Sequence, residues 1–319
     1  MEQEMYQVRK LEYIIDDKWD GKTVKALLQH EGYSAAVISG LKKNPKGICI
    51  GNKKVTVLKT LHQGDTLVIR VRNRPEDEER DRIVPTDIPV EILYEDEDVV
   101  LVNKPADLPT HTAQHNHDRT LGNAMAYHWA QRSERYIYRP ISRLDKDTTG
   151  ALLIAKNAHA AGKLGNALKK RDIKRRYVAL VSGKLEGEGT VNAPIVRAEN
   201  SVIKRRVGDV TQENEHTHAV THYRVLESGE NYSLVLLQLE TGRTHQIRVH
   251  MAHIGHPLGG DWLYGKENEL LSRPALHSYD LLFEHPVTGE RLHFVAPVAD
   301  DMRKYIHTLS ADGFFEDEI

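Results

Sequence analysis

Several classes of protein are excluded by what this 319-residue sequence lacks. It has one cysteine, Cys49, so it holds neither a disulfide framework nor a cysteine-rich zinc module. No apolar run approaches the roughly 20 residues of a membrane-spanning helix, which excludes an integral membrane protein. The first residues, MEQEMYQVRK, lack the apolar stretch of a secretory signal. We therefore expect a cytoplasmic protein.

Nucleotide and metal motifs are missing as well. No glycine-rich loop follows a predicted strand at the spacing of a Rossmann fingerprint or a P-loop, and the H-E-x-x-H pattern is absent. His250 and His253 share one face of a predicted helix, but no acidic residue of that helix completes a zinc set. We expect no cofactor and no metal, and a metal-dependent hydrolase stays an alternative. A second histidine group lies in a polar loop and comprises His111, His115 and His117.

Charge is unevenly distributed along the chain. The totals of 44 Lys and Arg against 46 Asp and Glu give a net charge of −2, weak evidence against a nucleic-acid partner. Residues 1–75, however, carry 14 bases and 8 acids, residues 76–98 carry 2 bases and 11 acids, and residues 156–176 carry 8 bases and 1 acid. A charge run is usually only a solvated face. Here the two basic segments are also candidate RNA-contacting surfaces.

The acidic segment indicates a domain boundary. A chain of this length holds about two domains, and the acidic stretch contains Pro85 and Pro89 between two differently patterned regions. We predict an N-terminal domain at 1–75, an acidic linker at 76–88 and a larger domain at 89–319.

Helices and small strands alternate in the N-terminal region. We predict a helix capped by Asp20 and ended by Gly32, and a second helix capped by Ser34. A hairpin should join Ile48–Ile50 to Val55–Val57, and the segment LVIRV after Asp65 alternates like a strand.

The larger region is a mixture rich in strands. Thr120 and Asn157 are predicted to cap helices that run to Gln131 and Lys170. No fixed-period repeat appears, and runs of strands with scattered helices favour an α+β fold with a mixed, largely antiparallel sheet. Strands are predicted at 99–103, 151–156, 175–181, 217–226, 232–239, 276–283 and 291–296, with a helix at 243–254 and a final C-terminal helix.

Three segments stand out chemically: R143-L-D-K-D-T-T-G150, K174-R-R-Y177 and T241-G-R-T-H-Q-I-R248-V-H. Asp145 lies beside cations that favour its charged form, which suits a nucleophile or base, although an Asp can equally cap a turn. Tyr177 follows a basic run and suits a stacking platform, although a strand Tyr is also an ordinary core residue. Arg248 is expected to face a carboxylate, because an unpaired buried charge is costly.

Together these segments resemble the pseudouridine synthase family that acts on uridines of large-subunit ribosomal RNA and transfer RNA. The family carries H-R-L-D-x-x-T-S-G, K-x-Y and G-R-T-H-Q-[IL]-R-V-H motifs, and the resemblance runs from about Val84 to Pro297. The chain departs from the motifs at Ser142, where His is usual, and at Thr149, where Ser is usual. The resemblance implies the pseudouridine synthase fold and four catalytic residues: Asp145 as nucleophile, Tyr177 against the target uracil, Arg248 as salt-bridge partner of Asp145, and Leu276 as a packing residue.

The N-terminal region resembles the alpha-L, or S-four-type, RNA-binding domain. The resemblance rests on S34-A-A-V-I-S, the hairpin from Gly47 to Val55, and Q63-G-D65, although the second helix lacks the usual Arg after its cap. A small basic domain that binds nothing is the alternative. The resemblance of the larger region to the pseudouridine synthases implies that Arg143 enters the RNA stack as the uridine leaves. The predicted RNA contacts are Arg143, Lys170, Lys174, Arg175, Arg176, Arg243, Lys42 and Lys43.

The resemblance implies an isomerase that flips a uridine out of its stack and converts it to pseudouridine. No group or electron is exchanged with a second substrate, so no cofactor is required. We expect a 23S-type ribosomal RNA substrate, with transfer RNA as the alternative, and a monomeric enzyme without a membrane partner. The competing hypothesis is a non-catalytic RNA-binding or ribosome-assembly factor that has kept the fold.

Overall fold

The computed structural model describes most of the chain in six stretches. None of the described helices is both long enough and apolar enough to cross a membrane. His115 and His117 of the polar loop lie outside the described residues, as do the C-terminal residues 316–318, which are all acidic. The described stretches are 6–111, 118–199, 201–209, 211, 213–265 and 271–306.

Two helices and an antiparallel sheet form the N-terminal part. The helices are α1 (Val24–His30) and α2 (Ala35–Lys43), and the strands are β1 (Arg9–Ile14), β2 (Ile48–Ile50), β3 (Lys53–Lys54) and β4 (Thr66–Val71). The strand order is β1-β4-β2-β3. Ser34 caps α2 as predicted, its hydroxyl accepting the N–H of Val37. Leu27, Leu28 and Ile69 are buried between the helices and this sheet.

Three details of this part differ from the sequence prediction. Thr23, not Asp20, caps α1, because the Asp20 carboxylate accepts the N–H of Gln63 instead. The hairpin is present, but its second strand is Lys53–Lys54 and not the predicted Val55–Val57, where the carbonyl of Val57 instead accepts the N–H of Lys25. Strand β1 was missed, since its alternation is half-exposed and polar.

A ten-stranded mixed sheet forms the larger part of the described chain. The strands of this part are β5 (Glu91–Glu95), β6 (Val99–Lys104), β7 (Arg139–Pro140), β8 (Thr149–Ala155), β9 (Lys174–Ser182), β10 (Glu188–Asn192), β11 (Ile195–Arg197), β12 (Arg205–Val207), β13 (Val220–Glu227), β14 (Tyr232–Leu239), β15 (Leu276–Glu284) and β16 (Arg291–Val295). The strand order of the large sheet is β10-β13-β14-β9-β15-β8-β6-β5, with β16 beside β15 and β7 beside β8, whereas β11 and β12 form a separate hairpin. The prediction of a mixed, largely antiparallel sheet is confirmed.

Five further helices accompany this sheet in the described residues: α3 (Pro75–Arg80), α4 (Leu121–Ala130), α5 (Ala158–Lys170), α6 (Gln246–His253) and α7 (Asp300–Arg303). Thr120 and Asn157 cap α4 and α5 as predicted. Helix α6 begins later than predicted, because His245 has a positive φ of 59° and interrupts the helical path.

Apolar side chains cover both faces of the sheet. Val100 and Val102 of β6 pack with Trp129 of α4 in one cluster that also includes residues of α6. The alternate residues Val99 and Leu101 pack on the other face with residues of α5. A strand buried on both faces is a continuous apolar run, which explains the sequence VVLV.

One parallel junction joins β8 to β15, with Thr149 opposite His277 and Gly150 opposite Ser278. Gly150 has φ 108°, and a Cβ at this position would lie 2.1 Å from the carbonyl oxygen of Ser278. Only glycine allows this approach. The last residue of the R-L-D-K-D-T-T-G segment therefore attaches the segment to β15.

The N-terminal part lies against the larger sheet. Arg9 of β1 donates two hydrogen bonds to the buried carboxylate of Asp98, at 2.9 and 2.8 Å. The Tyr33 ring stacks on the ring of His159 with 3.8 Å between centroids. The predicted linker overlaps α3. Between α3 and the end of the linker, the carbonyl of Val84 accepts a hydrogen bond from the Asn123 side chain of α4.

Candidate active site

A cleft of about 750 Å³ opens on the larger sheet. The four residues predicted as catalytic, Asp145, Tyr177, Arg248 and Leu276, all line it. They come from four separate segments of the chain, namely the loop before β8, strand β9, helix α6 and the start of β15. The structure therefore brings together residues as far apart in the sequence as Asp145 and Leu276, which are 131 positions apart.

Buried polar groups hold the Asp145 loop from both sides. The Thr110 hydroxyl donates to the carbonyl of Leu144 at 2.8 Å and accepts the Leu144 N–H at 3.2 Å. The ammonium of Lys104, fully buried, donates to the carbonyl of Lys146 at 2.9 Å and to two further carbonyls. Burial lowers the pKa of Lys104 to about 7. The Asp145 side chain lines the cleft and is 20% exposed.

Tyr177 and Leu276 take their positions from neighbouring strands. Tyr177 on β9 lies opposite Ser278 on β15, and Leu276 lies opposite Ala179. Both residues are 4% exposed, and both belong to the core cluster beneath the cleft. Thr149 keeps the hydroxyl of the family's usual Ser and shares a 2.8 Å hydrogen bond with the His277 ring. An aromatic ring and an apolar side chain thus form the dry side of the cleft.

The buried amide of Gln246 fixes the start of α6. Its oxygen accepts hydrogen bonds from the Thr241 hydroxyl and the Arg243 N–H, at 2.8 and 3.0 Å. Its nitrogen donates to the carbonyl of Val220 and to the hydroxyl of Thr221 on β13. Because Gln246 ties the preceding loop to the sheet, the following residues of α6 face the cleft in one orientation.

Arg248 has two acidic neighbours. Its Nη1 lies 3.9 Å from Oδ2 of Asp145, whereas Nε and Nη2 donate to the two carboxylate oxygens of Asp261, each at 2.7 Å. Burial opposes the charged guanidinium, but the hydrogen bonds to Asp261 outweigh it and raise the pKa of Arg248. The predicted pairing with Asp145 is therefore a longer second contact, and Asp261 is the partner that compensates the buried charge.

The predicted RNA-binding cations fall into separate groups. Arg143, Arg175 and Arg243 line the cleft, and Arg143 is exposed. Arg243 also braces the adjoining loop, since it donates to the carbonyls of His218 and Glu215. The other cations lie elsewhere: Lys170 is exposed at the end of α5, Lys174 is half-buried at the start of β9, and Lys42 and Lys43 are exposed in the last turn of α2.

The prediction that Arg176 contacts RNA is wrong. Its side chain is 0% exposed, and its Nη1 lies 3.5 Å from the equally buried carboxylate of Asp280 on β15. Side chains alternate between the two faces of a strand, so Arg175 and Arg176 cannot both face the cleft. Arg175 lines the cleft, and Arg176 points into the protein.

The histidines of α6 do not form a common site. Both ring nitrogens of His250 are engaged, one with the Thr221 hydroxyl and the other with the carbonyl of Ala193. Burial lowers the pKa of His250 to about 4, whereas His253 is exposed. His111, the described member of the loop group, is exposed as well.

Elsewhere in the described residues, Asp96, Asp98 and His285 lie close enough to hold a metal ion. The Nδ1 of His285, however, accepts the N–H groups of Val287 and Thr288. The ring proton must therefore be on Nε2, which lies 2.9 Å from Asp96. Asp98 is already paired with Arg9. These contacts describe a polar network that contains the Arg9–Asp98 ion pair and not a metal site, because the protonated Nε2 of His285 cannot ligate a metal.

Sequence reasoning missed three polar residues around the cleft: Asp261, Tyr264 and Thr110. Tyr264 shares a 2.8 Å hydrogen bond with the ring of His245. Asp261 and Tyr264 fall in the segment G259-G-D-W-L-Y264, whose paired glycines before an Asp are the available signal. At Gly260 a Cβ would lie 2.2 Å from the carbonyl oxygen of Arg273, so this turn admits only glycine.

Comparison with known proteins places this cleft in a family. The RNA pseudouridylate synthase family profile matches residues 98–253, a range that includes Asp145, Tyr177 and Arg248. An uncharacterised RNA pseudouridine synthase of Bacillus subtilis, YjbO, is 39% identical over 285 residues, covering 89% of this chain and 98% of its own. Ribosomal large subunit pseudouridine synthase D of Vibrio cholerae is 42% identical over 260 residues, covering 77% of this chain and 78% of its own.

Solved structures agree with the sequence relatives. Human RNA pseudouridylate synthase domain containing 1 is 30% identical and aligns with a TM-score of 0.55, covering 67% of this chain and 85% of its own. The sheet, the cleft and the relatives lead to one conclusion: the chain belongs to the RNA pseudouridine synthase family, whose members are isomerases that act on RNA.

Proposed function

We propose that this enzyme isomerises specific uridines of large-subunit ribosomal RNA, with Asp145 as the nucleophile. The observation that carries the proposal is the convergence of Asp145, Tyr177, Arg248 and Leu276 in one cleft bordered by cations. The substrate class is supported by relatives named ribosomal large subunit pseudouridine synthase D.

The target uridine must first leave its stack, which costs a few kcal/mol. Arg143 is exposed at the cleft and takes the place of the departing base, while Arg175 at the same cleft contacts phosphate. Phosphate contacts position the RNA without reading its sequence. Tyr177 then stacks on the uracil and Leu276 packs beside it, so the reacting base is shielded from water.

The reaction is an internal exchange of bonds. The bond between ribose carbon 1 and uracil N1 breaks, the uracil turns, and carbon 5 bonds to the same ribose carbon. Carbon 5 loses its proton and N1 gains one, so atoms and electrons balance without a cofactor. Asp145 attacks either the ribose carbon or the uracil ring, and is released when the new bond has formed.

Asp145→Asn tests the nucleophile with little change in shape. The variant should release no tritium from ribosomal RNA labelled at carbon 5 of uridine, while binding that RNA as wild type does. Tritium release at the wild-type rate would refute the assignment. Activity of the wild type on transfer RNA, with none on large-subunit ribosomal RNA, would instead refute the substrate class.

We also propose that residues 1–75 act as an alpha-L RNA-binding domain. Support comes from the Ser34-capped α2, the following hairpin and the exposed Lys42 and Lys43 in the last turn of α2. The Arg9–Asp98 ion pair joins this part to the larger sheet. The two basic segments, 1–75 and 156–176, can therefore bind the same RNA.

A further inference from the structure

His245 borders the cleft, and none of the steps above uses it. Its backbone has φ 59° and its side chain is 15% exposed, so the ring is held in one place before α6 begins. Nδ1 lies 2.8 Å from the Tyr264 hydroxyl, and Nε2 lies 4.0 Å from Oδ2 of Asp145. The ring therefore lies between Tyr264 on one side and the proposed nucleophile on the other.

The contacts of Tyr264 determine where the His245 proton resides. The Tyr264 oxygen accepts the backbone N–H of Arg205 at 2.8 Å, and its own proton needs an acceptor. In the described part of the chain that acceptor is Nδ1 of His245. A neutral imidazole that accepts at Nδ1 carries its proton on Nε2. Burial lowers the pKa of His245, so the ring is neutral at neutral pH with N–H directed toward Asp145.

Two donors thus approach the same carboxylate oxygen. Arg248 Nη1 lies 3.9 Å and His245 Nε2 lies 4.0 Å from Oδ2 of Asp145. Catalytic hydrogen bonds are often long in a free enzyme and shorten when substrate binds. We propose that His245 is a positioning residue that acts with Arg248 to hold Oδ2 of Asp145, leaving Oδ1 free to attack the uridine. This inference rests on the proposed role of Asp145 as nucleophile.

A donor to a carboxylate favours its ionised form. Loss of the Nε2–H should therefore shift the acidic limb of the rate profile to higher pH. Among the described residues, Arg248, Tyr264 and Lys104 also interact electrostatically with Asp145. These groups stay in place when His245 alone is replaced.

Two substitutions at position 245 test the contacts of the two ring nitrogens separately. His245→Asn places its amide near the level of Nδ1, keeps the contact with Tyr264 and tolerates the positive φ, but has no donor at Nε2. His245→Gln extends its amide toward Asp145 and restores that donor. Single-turnover pseudouridine formation at saturating enzyme should fall about 10- to 100-fold in His245→Asn. RNA affinity should stay unchanged, and His245→Gln should recover most of the rate.

The pH profile is the decisive measurement. In His245→Asn the acidic limb should move to higher pH, and in His245→Gln it should return toward wild type. A wild-type rate in His245→Asn, or a lower rate with an unmoved acidic limb, would overturn the proposal. If His245→Asn does not fold, Tyr264→Phe releases the tautomer and should shift the same limb, and an unmoved limb there would also overturn it.

Asp145→Asn in the same assay separates the two proposals. If Asp145→Asn forms pseudouridine, the nucleophile assignment has failed. If Asp145→Asn is inactive while His245→Asn behaves like wild type, only the role of His245 has failed.

Discussion

Replacing Asp261 with Asn should destabilise the protein strongly. Asp261 is 0% exposed and accepts two 2.7 Å hydrogen bonds from Arg248, whose side chain is 8% exposed. Its Oδ1 also accepts the N–H groups of Leu263 and Tyr264. The substitution leaves the Arg248 charge buried without its compensating carboxylate. Breaking a buried ion pair from one side costs about 3–5 kcal/mol of unfolding free energy.

Urea denaturation followed by tryptophan fluorescence measures this loss. The exposed pair of Lys184 and Glu186 supplies the control, because Glu186→Gln removes a salt bridge from solvent and should leave the urea midpoint unchanged. The double variant Asp261→Asn with Arg248→Met removes the Asp261 carboxylate and also the guanidinium charge that this loss leaves unpaired. It should therefore be more stable than Asp261→Asn alone.

Two results would contradict an ion-pair origin of this loss. A loss below about 1 kcal/mol in Asp261→Asn, comparable to a surface salt bridge, would show that the pair is not what compensates Arg248. A double variant no more stable than Asp261→Asn would show that the cost comes from the turn at 261–264 and not from the stranded charge.

Three other outcomes are expected. Burial favours the neutral form of the Glu95 carboxyl, but hydrogen bonds from Lys156 and His128 outweigh burial and lower the pKa of Glu95 from 4.5 to about 2. The stabilisation by ionised Glu95 is therefore complete above pH 4.5 and is lost as the pH falls toward 2. Between these pH values the urea midpoint of Glu95→Gln should depend less on pH than the midpoint of the wild type. Gly150→Ala should prevent the β8–β15 pairing and give insoluble or inactive protein, whereas Ala at the unobstructed Gly162 of α5 should be tolerated, as solubility and circular dichroism will show. Replacing both Lys42 and Lys43 with Ala should weaken binding of all RNA sequences and flatten the dependence of log affinity on log salt, and an unchanged slope would contradict phosphate contact by these residues.

Local sequence signals predicted the elements well where one side chain decides the structure. The caps Ser34, Thr120 and Asn157 each begin the predicted helix, because a side-chain oxygen satisfies a free N–H within three residues. The cap at Asp20 was wrong because its carboxylate serves Gln63, 43 positions away. A local pattern cannot show such a distant competitor.

In the candidate site, too, the sequence identified residues that the structure brings together but could not show which way each side chain points. The three motifs marked Asp145, Tyr177 and Arg248 as a set, and the structure places them in one cleft. The sequence offered no basis for distinguishing the adjacent residues Arg175 and Arg176. In the structure Arg175 lines the cleft, whereas Arg176 is fully buried against Asp280. The difference follows from the alternation of side chains in β9 and from which face the neighbouring strand covers.

The sequence by itself therefore determined the class of fold through its runs of strands. Through the family resemblance of its three motifs it also indicated an RNA substrate and the residues to propose for the site, because such motifs are residue types at short, fixed spacings. The partners of the buried charges were decided only by the tertiary structure. The buried guanidinium of Arg248 needs a carboxylate partner, which its own sequence motif does not identify. Asp261 contacts Arg248 only because the turn at Gly260 brings the two side chains together. The ring of His245 likewise gains its orientation from Tyr264, 19 positions away, since a tautomer is set by the contacts in space and not by neighbours in the sequence.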